Sequence, residues 1–309
     1  MAFVGRSCTV RLPLCDLVNQ AHTEDAKAGG TAPGIAIFVF GRKEYLYAAQ
    51  HLALSLREHS PTVPVHLWAA EGMNVDASYY TEVHTLDAKW YANGPGSLKL
   101  NVHDILPEGR WMYVDADMLC VSDIAPALER LKAYDFALDV RGKGKFGADI
   151  QYTPWAMQET VKRVAELGDD ATYYGVQTSW VWINKGSKLC ADIYATAKAL
   201  RFTPDDLKEP WGGSIPDELC ISAALSKLGI DPHSEDLSFY GTRGAYPSLS
   251  AMRQRHAFAC LYGDTRRHRL VASSWLDQYD RFVRSMYARN GGLMGMDIHS
   301  IMRNKHVTR

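Results

Sequence analysis

The sequence predicts an α/β fold in which helices cover both faces of a mainly parallel central sheet. Three consecutive segments carry this prediction. Residues 35–40 form an uninterrupted apolar run rich in β-branched and aromatic side chains, as expected of a strand buried on both faces. Residues 42–59 repeat their apolar side chains with the period of a helix, and residues 63–68 form a second β-rich run. This β-α-β order implies parallel strands joined by a right-handed crossover.

The chain beyond residue 68 repeats these two patterns. Further strands are predicted at 83–86, 110–114, 135–140, 175–184 and 256–262. Helices are predicted at 97–105, 123–131, 154–167, 187–200, 217–228 and 274–289, with Ser97 and Asp123 as caps of the first two.

Three regions follow from these elements. Residues 1–34 show no sustained period and end in a glycine-rich run, so we expect an N-terminal extension. Residues 35–290 form the α/β domain. Residues 291–309 are glycine-rich and then basic, which predicts a solvated C-terminal tail.

The composition of the chain disfavours several classes of function. The 309 residues are 47% hydrophobic and 22% charged with a net charge of −1, which is ordinary for a globular protein. Such a balance does not favour a nucleic acid or an anionic membrane held by bulk electrostatics. No apolar run is long enough to predict a transmembrane segment. The six cysteines, at positions 8, 15, 120, 190, 220 and 260, include no C-x-x-C pair, which predicts reduced thiols in the cytoplasm.

The most informative stretch is Asp115-Ala116-Asp117, which follows the apolar strand 110–114. Side chains two apart on an extended segment point to the same side, and two adjacent carboxylates repel each other unless a cation lies between them. Mn²⁺ or Mg²⁺ accepts such oxygen ligands and keeps positions open for phosphate oxygens. A helix-capping or surface acid pair is the alternative.

The surroundings of this acid pair favour a ligand site. Open α/β sheets bind ligands at the carboxyl ends of their strands, which places a nucleotide near Phe40 and Gly41. Lys99, in the first turn of a predicted helix, is either a contact to a diphosphate or carboxylate, or a solvated residue. Asp217 and Glu218 begin another helix, where acids are also favoured by the helix dipole alone.

The segment 141–147 holds three glycines and three cations. It lacks the Ser or Thr that follows a Gly-Lys pair in a Walker loop. We therefore expect a surface loop, or a basic loop that covers an anionic ligand.

In this order the segments resemble the retaining GT-A glycosyltransferases of glycosyltransferase family 8, which includes glycogenin and bacterial lipopolysaccharide galactosyltransferases. The resemblance extends from about residue 35 to about residue 267. It implies that Asp115 and Asp117 ligate Mn²⁺ on the donor diphosphate. Lys99 lies in a segment similar to a lysine-containing segment of the family. Gln177 stands where the family faces the donor sugar.

The resemblance also assigns residues toward the C-terminus. Asp217-Glu218 occupies the position of a family Asp-Gln pair beside the anomeric carbon. Gly263 and Arg266 match the closing His-x-x-Gly-x-x-Lys motif, in which the cation meets the diphosphate. Cys260 stands at the histidine position of that motif, and its thiolate is softer than Mn²⁺ prefers. His256, His268 or a water molecule would then be the substitute ligand.

The function expected from this resemblance is metal-dependent transfer of a sugar from a nucleoside-diphosphate sugar, in particular a UDP-sugar, with retention of configuration. Glu218 would stabilise the oxocarbenium-like sugar or act as a nucleophile, and Asp217 would orient a sugar hydroxyl. A saccharide or lipopolysaccharide core is the expected acceptor. A nucleic-acid acceptor, suggested by the cations at 266–269 and 303–309, is less favoured because the whole chain is not basic.

Two alternatives remain open. A nucleotidyltransferase acting on a sugar phosphate also uses acids and a metal, and Gly41-Arg42-Lys43 faintly resembles its basic loop. A non-catalytic nucleotide-sugar-binding protein is suggested by Cys260 at the position of a metal-binding histidine.

Overall fold

A seven-stranded mixed sheet organises the described part of the chain, which in this computed structural model comprises residues 33–147, 155–209, 214–240, 249–260, 272–291 and 294–305. The strands in chain order are β1 Gly34–Val39, β2 Val65–Ala70, β3 Glu82–Leu86, β4 Arg110–Val114, β5 Met118–Cys120, β6 Phe136–Lys145, β7 Thr172–Asn184, β8 His233–Ser234, β9 Ser238–Tyr240 and β10 Phe258–Cys260. The large sheet has the order β3-β2-β1-β4-β7-β6-β8, and a small sheet has the order β5-β10-β9.

The large sheet is mainly parallel, as predicted. Strands β3, β2, β1 and β4 run in one direction, and β7 is antiparallel to both of its neighbours, β4 and β6. The first β-α-β unit, read from the apolar runs of the sequence, is present with helix α1 (Lys43–His59) between β1 and β2.

Helices cover both faces of the sheet. The remaining helices are α2 Pro95–Ile105, α3 Ala125–Leu131, α4 Gln158–Ala165, α5 Lys188–Ala199, α6 Asp217–Leu228, α7 Leu249–Arg253, α8 Ala272–Arg289 and α9 Ile298–Lys305. Short 3₁₀ turns occupy Ala77–Tyr79, Ala88–Trp90 and Pro204–Asp206.

Strand β1 shows why its apolar run is continuous. Ile35 and Ile37 pack on one face with the apolar side of α1, whereas Ala36 and Phe38 pack on the other face with residues of α2 and α6. All four side chains are at most 6% exposed. A strand with helices on both sides has no polar face, so its sequence cannot alternate.

Helix α2 begins earlier than the sequence predicts. Its N-cap is Gly94, with φ +88°, rather than Ser97, and Pro95 occupies the first helical position. Proline suits this position because its φ is already helical and its missing N–H has no partner there. Lys99 consequently lies in the second turn of the helix.

The segment 141–147 was predicted to be a loop, but β6 continues through it to Lys145. Gly142 and Gly144 pair with β7 across the ladder. Lys143 forms an ion pair with Asp231 at 2.5 Å between Nζ and Oδ2. Lys143 is therefore paired within the protein, which the local composition did not indicate.

The predicted C-terminal tail contains a helix. Ile298 and Ile301 of α9 are fully buried, and His51 Nε2 of α1 lies 2.8 Å from the backbone oxygen of Met296. Within the described residues, no helix combines the length and apolar character needed to cross a membrane.

Candidate active site

The two acids Asp115 and Asp117 lie in a turn at the carboxyl end of β4, near the middle of the large sheet. The Met118 amide donates to the Asp115 carbonyl at 3.1 Å, and the Asp115 amide donates to the Ser179 carbonyl at 2.8 Å. The expectation of an extended Asp-x-Asp segment was therefore wrong. The chain turns here because β5 belongs to the small sheet and leaves the direction of β4.

Asp115 is held by two neighbours. Lys99 Nζ donates to its Oδ2 at 2.9 Å, and the Tyr113 hydroxyl donates to its Oδ1. The lysine and the aspartate side chains are 19% and 22% exposed. Burial raises the pKa of Asp115 to about 6; Lys99 opposes this rise, and the nearby charge of Asp117 adds to it.

Lys99 also connects Asp115 to helix α6. Its Nζ lies 3.9 Å from Asp217 Oδ2 and 3.5 Å from Thr178 Oγ1, and the Thr178 hydroxyl donates to Asp217. Asp217 is only 3% exposed. Elements separated in sequence, α2, β4, β7 and α6, thus bring one ammonium and two carboxylates together at the carboxyl end of β4.

Glu218 lies beside this cluster and is partly buried. Burial, with the charge of Asp217 second, raises its pKa to about 8. Its side chain also hydrogen-bonds to Trp155. In the free protein at neutral pH, Glu218 is therefore mainly a neutral acid, which donates as well as accepts hydrogen bonds.

Gln177 belongs to a neighbouring network. Arg141 Nε donates to Gln177 Oε1 at 3.1 Å, and the same guanidinium contacts the buried Asp139 and donates to the Ser238 carbonyl at 3.1 Å. The amide oxygen of Gln177 faces Arg141, whereas the side chain of the adjacent Thr178 faces Lys99 and Asp217. Gln177 is thus adjacent to Thr178 in sequence, but its side chain contacts Arg141 rather than the acid cluster.

A bulge in β7 explains this arrangement. Leu138 of β6 pairs with Val181, and the next residue, Asp139, pairs with Gln177, so residues 178–180 lie between two successive pairs. Such an irregularity re-aims side chains relative to simple strand alternation. Thr178 and Tyr113 contact the carboxylates of the cluster, although neither was predicted to have a role of its own. The only indication in the sequence was that each carries a hydroxyl group close to a predicted site residue.

Phe40 and Gly41 follow β1 at the same end of the sheet. Phe40 stacks on Tyr91 with 4.6 Å between ring centroids and 20° between the planes. Gly41 has φ +77° and is exposed. The predicted nucleotide region therefore contains a partly buried aromatic pair and a left-handed glycine at the carboxyl edge.

Of the candidates for a third metal ligand, Cys260 and His256 lie in the described residues, and both are buried. Cys260 pairs with Met118 through β10 and β5 and packs in the apolar core with Phe258. His256 is buried, with Nδ1 3.2 Å from the Asp236 carbonyl oxygen. Gly263, Arg266 and His268 lie outside the described residues.

The residues at the turn fit a hard divalent cation. Asp115 and Asp117 supply carboxylate oxygens, the ligands that Mg²⁺ and Mn²⁺ prefer. Their charges repel strongly enough that Asp117 raises the pKa of Asp115, and a cation between them would relieve this repulsion.

Comparison with known proteins supports the fold. No protein-family model matches the chain, and no curated protein sequence does. Among solved structures, the galactosyltransferase LgtC in complex with donor and acceptor sugar analogues is 13% identical, with 81% of this chain and 95% of that chain covered at a TM-score of 0.50. Mouse xyloside xylosyltransferase 1 is also 13% identical, with 76% of this chain and 98% of that chain covered at a TM-score of 0.46.

At this level of identity, the likeness to LgtC establishes the fold alone. It confirms the α/β fold of GT-A type that the sequence predicts, with a mainly parallel sheet and helices on both faces.

Proposed function

We propose that this protein is a metal-dependent glycosyltransferase that moves a sugar from a nucleoside-diphosphate sugar, in particular a UDP-sugar, to a saccharide or glycoconjugate acceptor. The observation that carries the proposal is the cluster of Asp115, Lys99 and Asp217 beside Asp117 and Glu218 at the carboxyl end of β4. A fold shared with a galactosyltransferase makes this edge of the sheet the natural site for such a donor.

Asp115 and Asp117 would hold Mn²⁺ or Mg²⁺, which when bound offsets the charge that develops on the leaving diphosphate. Lys99 fixes the orientation of the Asp115 carboxylate through its 2.9 Å hydrogen bond, and Tyr113 does the same from the other oxygen. Arg266 is proposed as a further cation for the diphosphate. Because these groups are preorganised, little reorganisation is needed when charge moves to the leaving group.

At the nucleotide end, Phe40 and Gly41 are proposed to contact the donor, and Gly263 would let the backbone approach its diphosphate. The stacked rings of Phe40 and Tyr91 offer an aromatic surface next to the bound base. Gln177, whose oxygen is engaged by Arg141, has its amide N–H₂ as the group left to donate to the sugar.

At the sugar, Asp217 is proposed to orient a hydroxyl and Glu218 to contact the reacting centre. The bond from the anomeric carbon to the diphosphate breaks as the bond to the acceptor oxygen forms, and the acceptor proton leaves with the diphosphate. Retention of configuration is proposed from the resemblance to the retaining family. A reducing, cytoplasmic compartment is proposed because the four described cysteines, Cys120, Cys190, Cys220 and Cys260, are buried free thiols.

The protonation of Glu218 yields a test of its role. A neutral Glu218 resembles glutamine in shape and hydrogen bonding. We expect Glu218→Gln to keep transfer within about tenfold of the wild type, and Glu218→Ala to lose about a hundredfold, the usual cost of one hydrogen-bonding group at a reacting centre. Initial rates of nucleoside-diphosphate release measure both. If Glu218→Gln is as inactive as Glu218→Ala, the carboxylate itself is required, as for a nucleophile.

The same group predicts a pH dependence of stability. The pKa of Glu218 rises from an ordinary value of 4.5 to about 8, so the folded state binds more protons than the unfolded state between these pH values. The unfolding free energy contributed by this group therefore falls as pH rises through that window. Thermal unfolding at pH 5 and pH 8 should show the Tm of the wild type falling about 6–12 °C more than that of Glu218→Gln, because a shift of this size corresponds to roughly 3 kcal/mol across the window. An equal fall in both proteins would contradict the assignment.

A further inference from the structure

A second group of ligand-type side chains lies on the outer strands of the sheet, away from the acid cluster. His66 is the second residue of β2, and Glu82 and His84 belong to the edge strand β3. In the parallel register His66 pairs with Glu82, and Trp68 pairs with His84. The two-residue period of strands places all four side chains on one face. His66 and Glu82 lie at the amino-terminal ends of their strands, whereas Asp115 follows the carboxyl end of β4.

The three side chains have the spacing of metal ligands. His66 Nδ1 lies 3.2 Å from His84 Nε2 and 3.6 Å from Glu82 Oε2. One ligand atom from each of the three residues lies within 4.8 Å of the others, and among the residues that the structure describes no other group of three or more His, Cys, Asp or Glu side chains meets this spacing. Two nitrogens bound at 2.0–2.1 Å to a tetrahedral Zn²⁺ are separated by about 3.3 Å. The two imidazoles therefore already have the separation of a zinc-bound pair.

Aromatic neighbours hold both imidazoles in place. The ring of His84 stacks on Trp68 with 4.4 Å between centroids and 19° between planes. The ring of His66 contacts Trp111 in an edge-to-face arrangement, with 5.0 Å between the ring centroids. The histidine side chains are 15% and 27% exposed, and that of Glu82 is 60% exposed. Ordered rings lower the entropic cost of binding, while the open side next to Glu82 gives an ion access from solvent.

We propose that His66, His84 and Glu82 form a binding site for Zn²⁺, with water as the fourth ligand. Two imidazoles and one carboxylate suit zinc, whereas Mg²⁺ and Mn²⁺ favour sites of oxygen ligands such as Asp115 and Asp117. The bound ion replaces the hydrogen bond between the two rings and joins the edge strand β3 to β2. This site is independent of the proposed transferase activity.

The test is titration of the full chain with Zn²⁺ against a chromophoric chelator at neutral pH, in excess Mg²⁺ to occupy oxygen-ligand sites. The wild type should bind one equivalent of Zn²⁺ at this site. In His66→Gln and in His84→Gln the affinity for that equivalent should fall at least tenfold. The matched control is His299→Gln, because His299 also lies beside a carboxylate, 3.0 Å from Asp277 Oδ1, but belongs to no such group. This control should bind zinc as the wild type does.

A second variant and a spectrum distinguish loss of the zinc site from misfolding of the protein. Glu82→Gln alters a largely exposed side chain and should keep the circular dichroism of the wild type while weakening zinc binding. Co²⁺ bound in place of Zn²⁺ should give the visible absorption of a tetrahedral site in the wild type and lose it in His84→Gln. Equal zinc affinity in the wild type, His84→Gln and Glu82→Gln would overturn the proposal, and so would an equal loss in His299→Gln.

Discussion

Asp117→Asn is expected to abolish sugar transfer while leaving the fold intact. Asp117 lies partly buried in the turn after β4, where the amide can occupy the same space. The change removes one of the two carboxylates proposed to hold the metal on the donor diphosphate, and a metal ion supplies several kcal/mol of charge stabilisation in such reactions. We expect nucleoside-diphosphate release to fall by about a thousandfold or more. Initial rates with saturating Mn²⁺ measure this loss.

The control for this variant is Asp231→Asn. Asp231 also pairs with a neighbouring group, Lys143, but its side chain is 61% exposed, and it lies in the segment that precedes β8. This variant should transfer sugar at the wild-type rate. Full activity of Asp117→Asn would remove the acid pair from the mechanism, and thermal unfolding shows whether either protein has lost its structure.

Lys99→Met is expected to have the largest effect on stability. The ammonium of Lys99 faces Asp115 at 2.9 Å and Asp217 at 3.9 Å, and the Asp217 side chain is only 5% exposed. Methionine keeps most of the volume but leaves two partly or fully buried carboxylates without their cation. Removing one partner of a buried ion pair costs about 3–5 kcal/mol of unfolding free energy. Because the site is partly open to solvent, we expect the lower end of this range, about 3 kcal/mol.

Denaturant unfolding measures this change, with Lys188→Met as the control. Lys188 pairs with Asp192 at 2.6 Å, but the lysine side chain is 87% exposed. An exposed pair of this kind contributes little, so the control should lie within about 0.5 kcal/mol of the wild type. If Lys99→Met proves no less stable than Lys188→Met, the cluster is not held by the contacts described.

The fold was predictable because its core segments have strong periodic signals. The apolar run of β1 and the helical stripe of α1 are long and well separated, and the β-α-β order then leaves a parallel sheet as the simplest arrangement. Two kinds of element were missed. In the small sheet, β10 lies within the predicted strand 256–262, but the three-residue strands β5 and β9 were not predicted. The extension of β6 through 141–145 was missed because it consists of glycines and cations, and a partner such as Asp231 lies far away in sequence.

The residues of the candidate site could be proposed from the sequence, but the contacts between them could not be predicted. Asp115, Lys99 and Asp217 were identified individually, and the structure brings them together. The turn after β4 and the bulge in β7 decide which way the side chains face, and neither has a local sequence signature. The protonation of Glu218 arises from burial and from Asp217 in the folded protein, so it could not be read from residue types.

The central claim is tested most directly by measuring nucleoside-diphosphate release from a panel of UDP-, GDP- and ADP-sugars, with Mn²⁺ and with EDTA. We predict slow release from one UDP-sugar that requires Mn²⁺ and that Asp117→Asn lacks. Release of pyrophosphate from a nucleoside triphosphate and a sugar phosphate would instead indicate a nucleotidyltransferase. A folded protein that binds a donor but releases no diphosphate from it, even with saccharide acceptors present, would contradict the proposed transferase.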